Sequence, residues 1–243
     1  VPGAHVRFVN GDLMQQREVT RIAGEIGAIL ESEYNGKLDA LVNNAGCVRS
    51  WYTTTEEGYE QQFALNHLAG FLLTYHLLPQ LKRAGGRVVF TGSESHKHMR
   101  VRWNDVMFFN GYHPLTVYKQ SKLCNILFAK GLNDRYLADG VRAYVVDPGL
   151  VCTDIGNKNT GSLVNFVWKY RKKHGVSPQV PAKTYGYLVE TEPAPEELYY
   201  YRCKPNRYSR EVTSENAGRL FELSERLCGI QYPANEPGKG GKT

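Results

Sequence analysis

Short apolar runs, spaced by stretches long enough for a helix and each ending in small polar residues, constrain this chain more than any other feature. Leu38–Val42 runs into Asn43-Asn44-Ala45-Gly46, Arg87–Thr91 into Gly92-Ser93-Glu94-Ser95, and Arg142–Val146 into Asp147-Pro148-Gly149. A similar run at Ala4–Val9 closes on Asn10-Gly11-Asp12, and Leu198–Cys203 reads as a last strand. Between them, Gln16–Tyr34 repeats apolar residues at Val19, Ile22, Ala23, Ile26, Ile29 and Leu30, the period of an amphipathic helix. Tyr59–Ala84, stopped by Gly85-Gly86, reads as a long buried helix, Tyr118 to about Leu137 as another and Ala217–Leu227 as a last one. Strands joined by helices lie parallel, because a crossover needs roughly a helix of chain. The expected fold is therefore α/β, a doubly wound, mostly parallel sheet in one domain over residues 1–233, with a flexible tail at 234–243.

Composition narrows the function classes. Of 243 residues, 42% are hydrophobic and 22% charged, which suits one buried core and excludes disordered, collagenous and disulfide-scaffold classes. The longest apolar stretch, Phe63–Leu81, is interrupted by Asn66, His67, Thr74, His76 and Gln80, so it reads as a core helix rather than a membrane span. A net charge of +6, spread along the chain, suits an anionic ligand and does not require nucleic acid. Five cysteines without a C-x-x-C pair read as reduced thiols in a cytoplasmic compartment, with no metal site among them. His96-x-His98 lacks a third ligand at metal spacing. Gly241-Lys242-Thr243 is not a phosphate loop, because Glu236 stands where that motif needs its first glycine.

The chemistry gathers where strands end, since open parallel sheets place their ligands there. Tyr118 and Lys122 are four apart on one helix and share a face, and an ammonium beside a phenol favours the phenolate. That pairing makes Tyr118 a candidate proton donor and acceptor; the bland alternative is one packing and one solvated residue. Ser93 follows a strand, where its hydroxyl could meet a substrate oxygen or simply form a turn. Asn66, a polar amide inside a core helix, needs hydrogen-bond partners whether its role is structural or catalytic.

Taken in order, Asp12-Leu13, Asn43-Asn44-Ala45-Gly46, Asn66, Ser93, Tyr118-x-x-x-Lys122 and Pro148-Gly149 resemble the short-chain dehydrogenase/reductase family, over essentially Ala4–Ile230. The run from Tyr118 to Phe128 and the stretches Tyr199–Cys203 and Phe221–Glu225 resemble its retinol-dehydrogenase-like branch. The resemblance implies a Rossmann-like fold and hydride transfer between NADP or NAD, with NADP favoured, and an apolar alcohol, aldehyde or ketone. It implies Tyr118 as general acid and base. Lys122 would hold the nicotinamide ribose, Ser93 (or Ser95) the reacting oxygen, and Asn66 a water that links Lys122 to solvent. Asp12 and Leu13 would border the adenine, and Asn43, Ala45 and Gly46 its ribose. Pro148, Gly149, Val151 and Thr153 would border the nicotinamide.

The chain departs from the family pattern at its start. The family opens with a strand, a glycine-rich turn and a helix, then a second strand; here no G-x-G-x-x-G occurs, and the chain begins at what corresponds to the third strand. The expectation is an N-terminally truncated fold, poorly stable and weak for cofactor as it stands, which leaves open an N-terminal membrane anchor found in some relatives. The aromatic loop of Trp103, Met107, Phe108, Phe109 and Tyr112 reads equally as a substrate wall or as a satellite hydrophobic cluster. The basic-aromatic run Trp168–His174 reads as a solvated helix face above the cleft, with surface association as the lesser alternative. A homodimer through the two long helices is compatible with the sequence. The competing functions are a non-catalytic relative that binds a nucleotide or partner, and an RNA- or membrane-associating protein resting on Trp168–His174.

Overall fold

The computed structural model of the chain describes residues 3–151 and 175–234. Its five strands are β1 (Ala40–Asn43), β2 (Arg87–Thr91), β3 (Arg142–Val146), β4 (Tyr199–Tyr201) and the two-residue β5 (Lys204–Pro205). They lie side by side in the order β1-β2-β3-β4-β5, with β1 to β4 parallel and β5 antiparallel to β4. The helices are α1 (Gln16–Glu33), α2 (Gln61–Phe63), α3 (Ala69–Ala84), α4 (Pro114–Tyr136), α5 (Gln179–Glu190) and α6 (Ser214–Cys228).

The strands explain why helices cover both faces. Alternate side chains of a strand point to opposite sides, so a strand apolar at every position needs cover on each. Val88 and Phe90 of β2 and Ala143 and Val145 of β3 join Phe71, Phe128 and Phe221 from α3, α4 and α6 in the larger core. Val89, Tyr144, Val146 and Tyr200 pack instead with Leu188 of α5. This is the doubly wound, mostly parallel sheet that the spacing predicts.

Three expectations change. Ala4–Val9 forms no strand: Val6 and Phe8 are 65% and 86% exposed, and among the described residues the outer edge of β1 has no partner. Apolar, β-branched residues form a strand only against a neighbour that completes the ladder, and this run has none. The helix expected over Tyr59–Ala84 is broken in phase, since a π turn at Ala64–Leu68 separates α2 from α3. Helix α4 also begins a turn earlier than expected, with Pro114 in its first turn, where a missing N–H costs nothing. Among the described residues no helix is long and apolar enough to cross a membrane. Cys152, Thr153, Trp168–His174 and residues 235–243 of the tail lie outside the described residues.

Candidate active site

Because β1, β2 and β3 run the same way, their carboxyl ends meet at one edge of the sheet. A cavity of about 650 Å³ opens there, lined by Asn44 after β1, Thr91 and Ser93 at the end of β2, and Pro148 and Gly149 after β3. Tyr118 and Lys122 enter from α4, and Pro181, Ala182 and Tyr185 from α5. Helix α4 presents its two residues together, with Lys122 Nζ 5.5 Å from the centroid of the Tyr118 ring.

Lys122 is buried and donates to the Thr91 carbonyl at 3.0 Å. Burial lowers its ammonium from 10.5 to about 8. An ammonium carries three donors, so two remain for whatever enters the cavity. Ser93 Oγ accepts from Ser95 N at 3.3 Å and from Ser95 Oγ at 2.9 Å. With those two bonds accepted, its own proton stays available to a second oxygen.

Asn66 sits in the π turn. Its Oδ1 accepts from Cys47 N at 2.7 Å, and its Nδ2 donates to Cys47 O at 3.0 Å and to Ser121 Oγ at 2.9 Å. This clamp holds the loop after β1 against α4. A Cβ at Gly46 would stand 3.1 Å from Asn66 Oδ1 and 3.5 Å from Lys122 Nζ, so glycine there keeps the way to the ammonium open. A second, narrow cleft of about 80 Å³ continues past β1, lined by Leu13, Asn43, Ala45 and Asn66; Val42 and Asn44 border both spaces. The two together make a slot along the strand ends.

The short chain dehydrogenase family matches residues 2–162, more than half of the chain. The chain belongs to that family. Retinol dehydrogenase 12 of Mus musculus is 36% identical over 200 residues, 81% of this chain and 63% of the relative. Retinol dehydrogenase 13 of Homo sapiens is 32% identical over 244 residues, 95% of this chain and 71% of the relative. Such similarities place this short-chain dehydrogenase in the retinol-dehydrogenase-like branch. The chain thus spans under two thirds of the length of one of these curated relatives and somewhat more of the other. A crystal structure of an uncharacterized protein from Mycobacterium paratuberculosis superposes with a TM-score of 0.64 at 26% identity, covering 91% of this chain and 75% of that one.

In this short-chain dehydrogenase, Ser93, Tyr118, Lys122, Pro148, Gly149 and Val151 line one cavity, with Leu13, Asn43, Ala45 and Asn66 in the adjoining cleft. Asp12 lines neither space; its carboxylate accepts from Met14 N at 3.0 Å and caps its own turn. Among the described residues the aromatic loop does not line this cavity, though Trp103 borders a separate one of about 640 Å³. Met107 and Phe108 are in the main core, Trp103 packs against it, and Tyr112 Oη donates to Arg49 O at 2.8 Å.

Three residues were not picked out by the sequence. Thr91 Oγ1 donates to Asn44 Oδ1 at 2.8 Å and pairs with Tyr185 Oη at 2.7 Å, so Tyr185 is the donor in that second bond. Thr91 thereby ties β1, β2 and α5 together beneath Lys122. The signal for Thr91 was its place as the last, polar residue of an apolar strand; Asn44 stood inside the Asn43-Asn44-Ala45-Gly46 run without a role of its own, and nothing local marked Tyr185. Gly92 is explained by crowding: a Cβ would come within 2.6 Å of Val145 Cγ1 and 3.2 Å of the Tyr199 ring.

Proposed function

We propose that the chain carries the reaction centre of a nicotinamide-dependent oxidoreductase that interconverts an apolar alcohol and its carbonyl compound. The observation that supports this most is the convergence of Tyr118, Lys122 and Ser93 on one cavity at the carboxyl ends of parallel strands. The cavity's other walls, Val42, Leu150, Val151, Pro178, Pro181 and Ala182, favour an apolar substrate.

The residues fit a dinucleotide. The slot runs along three strand ends, Gly46 leaves its floor open, and Lys122 has donors to spare for a ribose hydroxyl. Lys122 and Asn44, with Pro148, Gly149 and Val151, would hold the nicotinamide end, and Asn43, Ala45, Gly46 and Leu13 the adenine side. When bound, the nicotinamide supplies or accepts the hydride. Ser93 Oγ–H would hold the substrate oxygen, and Tyr118 Oη would give that oxygen a proton in reduction and take it back in oxidation. Lys122 keeps a positive charge beside the phenol while that proton moves. NADP is the assigned form on the family resemblance, and residues 1–233 are read as one Rossmann-like unit without its glycine-rich turn.

The test measures NADPH and NADH oxidation with a panel of apolar aldehydes and ketones, for the chain alone and with a glycine-rich βαβ unit of the family placed ahead of it. Turnover abolished by Tyr118→Phe, with cofactor binding unchanged, is the expected result. Cofactor binding with no turnover by any panel member would favour the binding-only alternative. No cofactor binding by either form would overturn the proposal.

A further inference from the structure

His96 lies two residues from its histidine neighbour in sequence, yet its contacts in the fold are elsewhere. The ring is fully buried, in a 3-10 turn (Glu94–His96) that Ser93 opens. Nδ1 lies 2.6 Å from the Ser93 carbonyl oxygen, and Nε2 lies 3.2 Å from Ser209 N. A backbone amide only donates, so Nε2 must present its lone pair. In a neutral ring the proton then sits on Nδ1 and points at Ser93 O. Both nitrogens are therefore spoken for, and the tautomer is fixed by partners rather than chosen. The ring also packs edge-on to Tyr199, with centroids 5.1 Å apart, while Tyr199 Oη donates to Asp147 at 2.9 Å.

We propose that His96 is a positioning residue for Ser93: its Nδ1–H fixes the Ser93 carbonyl, so that the Ser93 hydroxyl stays in the cavity wall with its proton free for substrate. The proposal rests on the oxidoreductase reading, in which Ser93 holds the reacting oxygen. Ser93 itself is in extended conformation at φ −171°, so no backbone strain holds it there. Beside the two bonds that its hydroxyl accepts from Ser95, the pair of bonds through the ring holds its carbonyl and links the serine to the loop at Ser209. The turn adds the bond from His96 N to Ser93 O at 3.2 Å, which any residue at 96 could supply. The imidazole, with a donor at one nitrogen and an acceptor at the other, reaches both Ser93 and Ser209.

A pH consequence follows. Protonation would set Nε2–H against Ser209 N–H, two donors facing each other, and the bridge would open. Burial lowers the pKa of the ring and keeps it neutral; of the charged groups nearby, Asp147 and Glu94 work against that and Lys97 works with it. Tyr199 faces the ring from β4 as a neutral phenol, its own pKa raised by burial.

The experiment combines tautomer and turnover. Long-range 1H–15N correlation on the chain, with His96 assigned by its loss in His96→Asn, should show the Nδ1–H form at neutral pH; the Nε2–H form would overturn the proposal. His96→Phe keeps the ring packing and loses both bonds. It should lower kcat about tenfold or more, short of the ~10²–10³ lost when a donor is removed outright, with cofactor Kd unchanged. His96→Asn, which retains a donor near Nδ1, should recover part of that loss. In a Ser93→Ala background His96→Phe should cost nothing further, because the two act as a unit. Equal losses in both backgrounds would overturn the positioning role. Failure of cofactor to bind either the chain or the form completed with the glycine-rich βαβ unit would instead overturn the oxidoreductase reading, while the tautomer measurement still decides how the ring is held.

Discussion

Lys122 keeps a charge in a wall that disfavours it, and the consequence is measurable apart from turnover. Its pKa falls to about 8 on burial, whereas the unfolded chain keeps the ordinary 10.5. Between those values the unfolded chain binds a proton that the folded one has released, so this group adds stability as pH rises from about 8 to 10.5. Denaturant unfolding of wild type and Lys122→Met should therefore diverge over that window, with wild type gaining relative to the variant. Parallel curves would show that Lys122 is not desolvated. The residues that carry the chemistry were legible because their types are unusual where they stand: a tyrosine and lysine one helical turn apart, a serine after an apolar strand. Thr91, Asn44 and Tyr185 were not, because their bonds join residues 47 and 94 positions apart, and no local pattern encodes such a meeting. His96 was legible only as half of a histidine pair, a reading its partners replace.

Among the elements, the long second helix depends on how it starts. Glu60 is buried and its carboxylate accepts from Gln62 N at 2.9 Å and Phe63 N at 2.7 Å, two of the amides that the first turn leaves unpaired. Glu60→Ala should cost about 1 kcal/mol or more, seen as a melting temperature lower by a few degrees, and Glu60→Gln, which retains an acceptor, should cost less. An unchanged melt for Glu60→Ala would mean the helix start is held by its packing alone. Apolar spacing predicts one unbroken helix over Tyr59–Ala84; the helix ends at Ala84 but starts at Gln61 and is interrupted by the π turn. The extra residue in the turn is stabilised by Asn66 binding Cys47, a contact that a pattern of apolar positions does not register. Strands β2 and β3 form over the residues expected, since each carries apolar residues on both faces and ends on turn formers, Gly92 after β2 and Asp147-Pro148-Gly149 after β3. Ala4–Val9 has the same local look and has no partner among the described residues, which only the sheet as a whole could reveal.

At the scale of the molecule, that unpartnered edge sets the solution behaviour. Val42 of β1 is 44% exposed, with Val6 and Phe8 exposed too, so unpaired backbone and apolar side chains are both presented to solvent. Light scattering on the chain should show association that grows with concentration. Phe8→Lys should reduce it without changing the helical circular dichroism, and a monomer at all concentrations would show that the edge is silent. The sheet's order also concentrates the strand ends that line the cleft along one rim, leaving the other rim to turns such as that at Gly85. The π turn at Ala64–Leu68, finally, limits how the chain can change length. Deleting one residue there would close the turn to ordinary α geometry, with the helix on either side still facing as it does, and would move Asn66 off the bulge that carries it. Asn66 would then lose Cys47, and the loop over Lys122 its clamp, so this segment can tolerate exchanges of residue far better than any gain or loss of one.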